Sequence, residues 1–134
     1  MALPIVKIYV AGKWSEKGNI KLKMIELMLL GHTITHDWTI YEADPSHRLA
    51  DMADHDVRGV LDAEVVCLLM IDPTYSYRGT YTELGVALGS GDKTIFIICP
   101  DPKAECRTNV FFHHSSIKHL NSWDEFVAII KTIK

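Results

Sequence analysis

The sequence has little of what membrane proteins, secreted proteins and nucleic-acid-binding proteins need. Its longest apolar runs, such as residues 24–30, are interrupted by charge and too short to cross a bilayer. The first residues lead directly into a strand, so no signal peptide is expected. The net charge is -3, from 14 Lys and Arg against 17 Asp and Glu, which gives no basic surface for a nucleic acid polymer. We therefore expect no membrane and no nucleic acid polymer as partner, while small anionic ligands stay possible through local donors.

Cysteines are few, and their number, three, is odd. Cys67 and Cys99 lie in apolar segments typical of buried strands, where a thiol packs as a small hydrophobe. This usage favours a reducing, cytoplasmic setting. The 134 residues are 48% hydrophobic and 23% charged, with no linker, internal repeat or low-complexity stretch, so a single domain over residues 1–134 is predicted.

Apolar runs alternate with helical periodicity along the chain. Strands are predicted at residues 5–10, 32–38, 65–71, 94–99 and 117–120, and helices at 16–30, 46–62, 80–90 and 123–133, with a loop at 101–115. This alternation predicts an α/β fold: a flavodoxin-like or Rossmann-like three-layer sandwich with a five-stranded parallel sheet, in the order 2-1-3-4-5. Residues 12–15, 72–79 and the loop after Cys99 would then share the rim where such sheets bind ligands.

One carboxylate, Glu83, stands near the start of the third predicted helix. Thr80 and Glu83 have the spacing of a capping box, in which the glutamate only caps the helix. Alternatively, the helix dipole keeps Glu83 ionised, and an ionised carboxylate at a ligand rim can act as a nucleophile. The position favours the second interpretation, because a buried strand and the polar loop 72–79 precede it.

A second carboxylate interrupts the apolar stripe of the second predicted helix. The stripe has Asp56 in its middle and consists of Leu49, Met52, Ala53, Val57 and Val60, whereas Asp51, Asp54 and Asp62 fall on the opposite side. A buried acid is costly unless it is paired or functional. Asp56 is therefore either a structural acceptor for a loop amide or a carboxylic acid with a raised pKa that can donate a proton. Together, an ionised and a protonated carboxyl are the equipment for cleaving a glycosidic bond.

Other residues of the rim have both a structural and a functional interpretation. Gly79 is expected to allow a tight turn and a close approach to a ligand. Arg78 can pair with Asp72 or with a phosphate. Trp14 can stack on a base or pack half-buried, and Tyr9 can direct its hydroxyl to the strand end or fill the core.

Neither a metal nor an organic cofactor is expected. His47, Asp51 and His55 share a helix face but match no zinc signature, and Cys106 with His113 and His114 lacks ligand spacing. The loop 11–15 has too few glycines for a phosphate cradle. No motif supports a serine or cysteine nucleophile with a histidine base.

These residues together resemble the nucleoside 2-deoxyribosyltransferase family, and the resemblance covers most of the chain. The matching segments are KIYVAG at 7–12, DVRGV at 56–60, DAEVV at 62–66 and, most strongly, RGTYTELGVA at 78–87. The resemblance implies that Glu83 is the nucleophile and that Asp56 contacts the base and serves proton transfer. It also implies that Tyr9 lies near the nucleophile and that Trp14 is the tryptophan of the first loop.

Two positions bear on the subfamily. Asn109 is in register with an asparagine that, in the transferases, reaches from a neighbouring subunit to the sugar 5′-hydroxyl, which implies a homodimer or larger assembly. Some transferases have an acidic residue six positions before the nucleophile to help hold the base, and here that position is Tyr77. Asp72, earlier in the loop, is a possible replacement. The resemblance thus implies substrate contacts at Gly12, Trp14, Asp72, Tyr77, Arg78, Gly79 and Asn109.

The activity implied is cleavage of the N-glycosidic bond of 2′-deoxynucleosides through a covalent deoxyribosyl-glutamate, with transfer of the sugar to a second free nucleobase and net retention. The first alternative is hydrolysis of deoxynucleoside 5′-monophosphates, with Lys13, Ser15 and Arg78 holding the phosphate. The second alternative is a non-catalytic nucleotide-binding module, which the presence of both Glu83 and Asp56 argues against.

Overall fold

The computed structural model describes residues 5–41 and 48–132. The strands are β1 (Lys7–Ala11), β2 (Thr33–Ile34), β3 (Val65–Leu69), β4 (Thr94–Ile98) and β5 (Ile117–Leu120). The helices are α1 (Lys17–Leu29), α2 (Leu49–Asp62), α3 (Arg78–Ser90), α4 (Glu105–Thr108) and α5 (Trp123–Ile130). Single turns of 3-10 helix lie at Trp14–Glu16, Trp38–Ile40 and Val110–His113.

The five strands form one parallel sheet in the order β2-β1-β3-β4-β5. Helices α2 and α3 pack against each other on one face. On the other face, the indole of Trp123 in α5 donates a hydrogen bond to Glu26 of α1. The predicted α/β class, the flavodoxin-like sandwich and the strand order are confirmed.

The central strands leave no room for polar chemistry inside the sheet. Every residue of Val65–Leu69 is buried, and the last four residues of both β1 and β4 are buried as well. A parallel sheet covered on both faces excludes water along the whole strand. Polar groups are therefore confined to the segments that follow the strands, and the carboxyl ends of β1 and β3 lie side by side because Ala11 pairs with Leu68.

The predicted end of the second strand and the predicted loop 101–115 are wrong. The second strand ends at Ile34 instead of residue 38, because the Asp37 side chain accepts the N–H of Thr39 at 2.9 Å and begins a 3-10 turn. The predicted loop 101–115 contains α4 and another 3-10 turn. The first residues of the second predicted helix, 46–47, lie outside the described part of the chain, and α2 begins at Leu49.

The predicted apolar stripe of α2 is only partly correct. Leu49 and Val57 are 59% and 40% exposed, and Ala53 is exposed too, while Val60 is buried. The helix instead faces the sheet through Gly59 and Val60, since a glycine lets its backbone come close to the neighbouring residues. Asp51, Asp54 and Asp62 are exposed as predicted. In the described ranges, no helix is both long and apolar enough to cross a membrane.

Candidate active site

A cavity of about 210 Å³ opens where the segments after β1 and β3 meet α2 and α3. Seven of the residues predicted from the sequence line it: Tyr9, Gly12, Trp14, Asp56, Tyr77, Gly79 and Glu83. The rim predicted from strand order thus coincides with a real concavity, at the place where open α/β sheets bind ligands.

Glu83 lies deeper in α3 than the sequence suggested. The helix begins at Arg78, so Glu83 is in its second turn, and the residue preceding the helix is Tyr77 instead of a capping threonine. Neither the capping box nor the dipole of a first turn therefore applies. Burial and, less strongly, the nearby Asp56 raise the pKa of Glu83, while a hydrogen bond from Tyr9 lowers it, and the net result is a pKa of about 7. The expectation that Glu83 is simply held ionised is wrong.

Tyr9 fixes the orientation of the Glu83 carboxyl. Its side chain is fully buried on β1, and its hydroxyl donates a hydrogen bond to Oε2 of Glu83. Burial, and then the neighbouring Glu83, raise the pKa of Tyr9 above the ordinary value, so the hydroxyl stays protonated and acts as a donor. The ring of Tyr9 thus packs in the core, and its hydroxyl reaches the cavity at the end of the strand.

Asp56 faces the same cavity from α2. Burial raises the pKa of its carboxyl, while His36 and His55 lower it. Oδ1 lies 3.2 Å from Nε2 of His36, without the geometry of a hydrogen bond, and no other described group bonds to it. The structural bond to a loop amide is thus not found among the described residues, and the carboxyl has the raised pKa that a proton donor needs.

The remaining wall of the cavity is largely aromatic. Trp14, 37% exposed, stacks on Trp38 with ring centroids 6.2 Å apart and planes at 26°. The indole of Trp38 is anchored by a 2.7 Å hydrogen bond to the carbonyl of Val10. Tyr75 and Tyr77 pack edge to face with centroids 4.7 Å apart. Such walls suit a flat, uncharged ring, because aromatic faces offer contact area without demanding ionic partners.

The two predicted glycines serve different purposes. Gly79 is the second residue of α3, and an added Cβ would meet nothing within 4 Å, so the expected tight turn is wrong. The left-handed turn is made by Tyr77, with φ of 49°, whose hydroxyl accepts the N–H of Asp72 at 3.0 Å. At Gly12, a Cβ would come within 2.6 Å of Ile20 Cδ1, so the glycine lets α1 pack closely.

Three predicted site residues lie outside this cavity. Arg78 is exposed on the surface of α3. Asp72 pairs with Lys13 at 2.9 Å, not with Arg78, and lines an adjoining cavity of about 200 Å³ beside α1. Hydrogen bonds from Thr74 and then Lys13 hold the pKa of Asp72 at about 2. The side chain of Asn109 accepts the N–H of Phe111 at 3.1 Å, at the start of a 3-10 turn.

Sequence reasoning missed several residues at the site. Besides His36, which contacts Asp56, the cavity is lined by Trp38, Tyr41, Met52, Tyr75 and Thr80. The signal for His36 and Trp38 was available: they follow an edge strand, and in a parallel sheet such residues join the ligand rim. Because the second strand was predicted to extend to residue 38, His36 and Trp38 were assigned to the strand instead of to the rim.

Residues 5–41 and 48–132 contain no group of three or more His, Cys, Asp or Glu side chains suited to a metal ion. His47, which was predicted to share a helix face with Asp51 and His55, lies outside these ranges. Comparisons with protein-family models and with curated proteins find no match for the chain. The cavity combines a half-buried carboxyl, which accepts a hydrogen bond from a tyrosine hydroxyl, with a second carboxyl whose pKa is raised.

Proposed function

We propose that the protein is a nucleoside 2-deoxyribosyltransferase that cleaves the N-glycosidic bond of 2′-deoxynucleosides. One observation carries the proposal: Glu83, oriented by the Tyr9 hydroxyl, shares a cavity with Asp56. A nucleophilic and an acidic carboxyl are what a retaining glycosyl transfer requires. The aromatic wall formed by Trp14 and its neighbours supplies a surface on which a nucleobase stacks.

The pair of carboxyls is suited to hold one proton near neutral pH. The charge of Asp56 raises the pKa of Glu83, and burial raises the pKa of both groups. Two coupled acids of this kind lose their protons in separate steps, so a singly protonated state exists over a range of pH. In the reactive arrangement of that state, Glu83 is ionised and the proton is on Asp56.

In the first half-reaction, a carboxylate oxygen of Glu83 forms a bond to C1′ of the sugar while the bond from C1′ to the base nitrogen breaks. The proton of Asp56 passes to the departing base, which leaves as a neutral molecule. In the second half-reaction, a nitrogen of another base attacks C1′, Asp56 recovers a proton and Glu83 is released. Two inversions give net retention.

The charge of the cavity favours a nucleoside as the substrate over a nucleoside monophosphate. Its described lining residues include two carboxyls and neither lysine nor arginine. The nearby Lys13 is occupied by its ion pair with Asp72. A phosphate carries about two negative charges at neutral pH, and repulsion by Glu83 and Asp56 would oppose its entry without a compensating cation.

One observation favours the alternative, hydrolysis of deoxynucleoside 5′-monophosphates. Gly79 and Thr80, in the first turn of the 13-residue helix α3, line the cavity. The free backbone N–H groups of a helix N-terminus attract phosphate. Water would then take the place of the acceptor base.

The proposed homodimer is supported by the surroundings of Asn109. The next two residues, Val110 and Phe111, are 74% and 71% exposed, and apolar side chains so exposed are typical of surfaces that another protein covers. A second copy would then be placed to bring Asn109 to the open side of a neighbouring cavity. The three cysteines are all free thiols, which agrees with the proposed cytoplasmic location.

The test is to incubate the protein with single deoxynucleosides and deoxynucleoside monophosphates, with and without a second free base, and to identify the products by chromatography and mass spectrometry. We expect a new deoxynucleoside only when both a deoxynucleoside and a second base are present, and a deoxyribosyl adduct on a peptide containing Glu83. Release of base from monophosphates alone would favour the hydrolase. Binding without any turnover would favour the non-catalytic module.

A further inference from the structure

We infer that His36 is a positioning residue for Asp56, an inference that rests on the proposed function of the cavity. Nε2 of His36 lies 3.2 Å from Oδ1 of Asp56 and 2.8 Å from the hydroxyl of Tyr41. Asp56 and Tyr41 line the cavity, whereas His36 does not. The imidazole therefore contacts the Asp56 carboxyl from behind, away from the space that a substrate would occupy.

The backbone holds His36 in register with α2. The N–H of Thr35 donates to the carbonyl of Ile8 at 3.0 Å, and the Thr35 hydroxyl donates to the carbonyl of Gly59 at 2.6 Å. A Cβ at Gly59 would lie 2.6 Å from Cβ of His36 and 3.0 Å from the Tyr9 ring. Because this glycine lets α2 approach so closely, Asp56, one turn earlier, comes within reach of the imidazole.

The groups facing this contact come from several elements. Tyr9 on β1 and Glu83 on α3 lie near Asp56, and the negative charge of Asp56 raises the pKa of both groups. Tyr41 and His55 pack against the His36 ring, with centroids 5.5 Å and 5.8 Å away. The His36 side chain is 18% exposed. Its ring is thus held between α2 and the segment after β2, and it has little freedom to turn away.

The chemistry of the contact follows from the single hydrogen that neutral imidazole can carry on Nε2. While Asp56 holds its proton, that N–H can donate to Tyr41. Once Asp56 has passed its proton to the departing base, the new carboxylate attracts the same N–H. The bond from C1′ to the base breaks, the bond from Glu83 to C1′ forms, and the imidazole only orients and stabilises Asp56.

The alternative is a purely structural contact. A contact between partly exposed groups contributes little to stability, and its loss would affect all substrates equally. A positioning role has a narrower signature: it matters only when the leaving group needs the proton of Asp56. The two roles therefore differ in how the effect of a substitution depends on the leaving group.

The experiment compares a natural deoxynucleoside with 4-nitrophenyl 2-deoxyriboside, whose leaving group departs without a proton. His36→Leu fills the site but removes the donor, whereas His36→Gln keeps an N–H. We expect His36→Leu to lower kcat for the deoxynucleoside about 100-fold with KM little changed, and to leave the nitrophenyl substrate nearly unaffected. We expect His36→Gln to remain within about tenfold of wild type on both substrates.

Asp56→Asn provides the reference, because it should reproduce the same dependence on the leaving group. If Asp56→Asn shows that dependence and His36→Leu does not, or slows both substrates equally, the positioning role is wrong while the proposed function stands. If the wild type cleaves neither deoxyriboside, the proposed function itself fails. Should His36→Leu not fold, a His36→Gln variant that folds and loses activity equally on both substrates would overturn the inference.

Discussion

Replacing Glu83 with glutamine is predicted to stabilise the protein at high pH while removing the proposed activity. Glu83 is half-buried, and its pKa is about 7 in the folded protein against an ordinary 4.5. Its charge therefore opposes folding. The amide oxygen of glutamine can still accept the hydrogen bond from Tyr9, so the substitution removes the buried charge and keeps the local contact.

The magnitude follows from linkage between proton binding and folding. Because the pKa of Glu83 is higher in the folded than in the unfolded protein, proton binding by Glu83 stabilises the fold. This stabilisation is fully present below pH 4.5 and is lost as the pH rises through about 7. At 1.36 kcal/mol per pH unit, a difference of about 2.5 units corresponds to about 3 kcal/mol at pH 8. Glutamine does not titrate, so Glu83→Gln should be more stable than wild type by about 3 kcal/mol at pH 8 and by much less at pH 5.

The assay is urea unfolding followed by tryptophan fluorescence at pH 5 and pH 8, at one protein concentration, since an oligomer would make stability depend on concentration. Glu26→Gln is a matched control, because Glu26 is exposed on α1 at the opposite face of the sheet. A stability difference between Glu83→Gln and wild type that is the same at both pH values would refute the reasoning.

Three further predictions concern turnover. Asp56→Asn should lower kcat for deoxynucleosides by about 10²–10⁴-fold, whereas Asp54→Asn, exposed on the same helix, should match wild type in steady-state assays. Tyr9→Phe removes the hydrogen bond that lowers the pKa of Glu83, so the acidic limb of the pH–rate profile should move to higher pH; an unmoved limb would contradict this. Asn109→Ala should weaken the binding of deoxynucleosides by about 0.5–1.5 kcal/mol or more and the binding of monophosphates less. Mixing Asn109→Ala with Glu83→Ala should restore activity if the subunits exchange. An active monomer in size-exclusion chromatography would exclude a site shared between subunits.

The sheet was predictable because its signal is strong and repeated. Continuous apolar segments such as Val65–Leu69 have few structural alternatives when helices separate them, and they determine strand order through the known preferences of α/β folds. The short edge strand β2 was harder to delimit. Its residues are exposed or half-buried, so periodicity gives little information, and the ending depends on a local hydrogen bond made by Asp37.

The residues that contact the two carboxyls of the site were less predictable from the sequence than the carboxyls themselves. An acid among apolar residues is visible in a sequence, and this singled out Asp56. His36 is visible only as one of seven histidines, and its contact with Asp56 depends on how closely α2 approaches through Gly59. That approach depends on how the helix backbone packs against the side chains of His36 and Tyr9, which periodicity and propensity do not encode.

The start of α3 explains why Glu83 points inward. Had the helix begun at Thr80, Glu83 would have been a first-turn residue available to cap backbone N–H groups. Because Tyr77 adopts the left-handed conformation and the helix begins at Arg78, the buried face of α3 runs through Thr80, Leu84 and Ala87. At about 100° per residue, Glu83 falls at the edge of this face, beside Ala87, where it is half-buried and borders the cavity.

Asp56 has the corresponding position on α2, the helix that packs against α3. The two carboxyls therefore stand on two neighbouring helices and line the same cavity. Each carboxyl is half-buried and loses part of its hydration, which neighbouring polar groups must replace. Tyr9 donates a hydrogen bond to Glu83, and Nε2 of His36 lies 3.2 Å from Asp56, and these neighbours explain why the fold tolerates both carboxyls in one cavity.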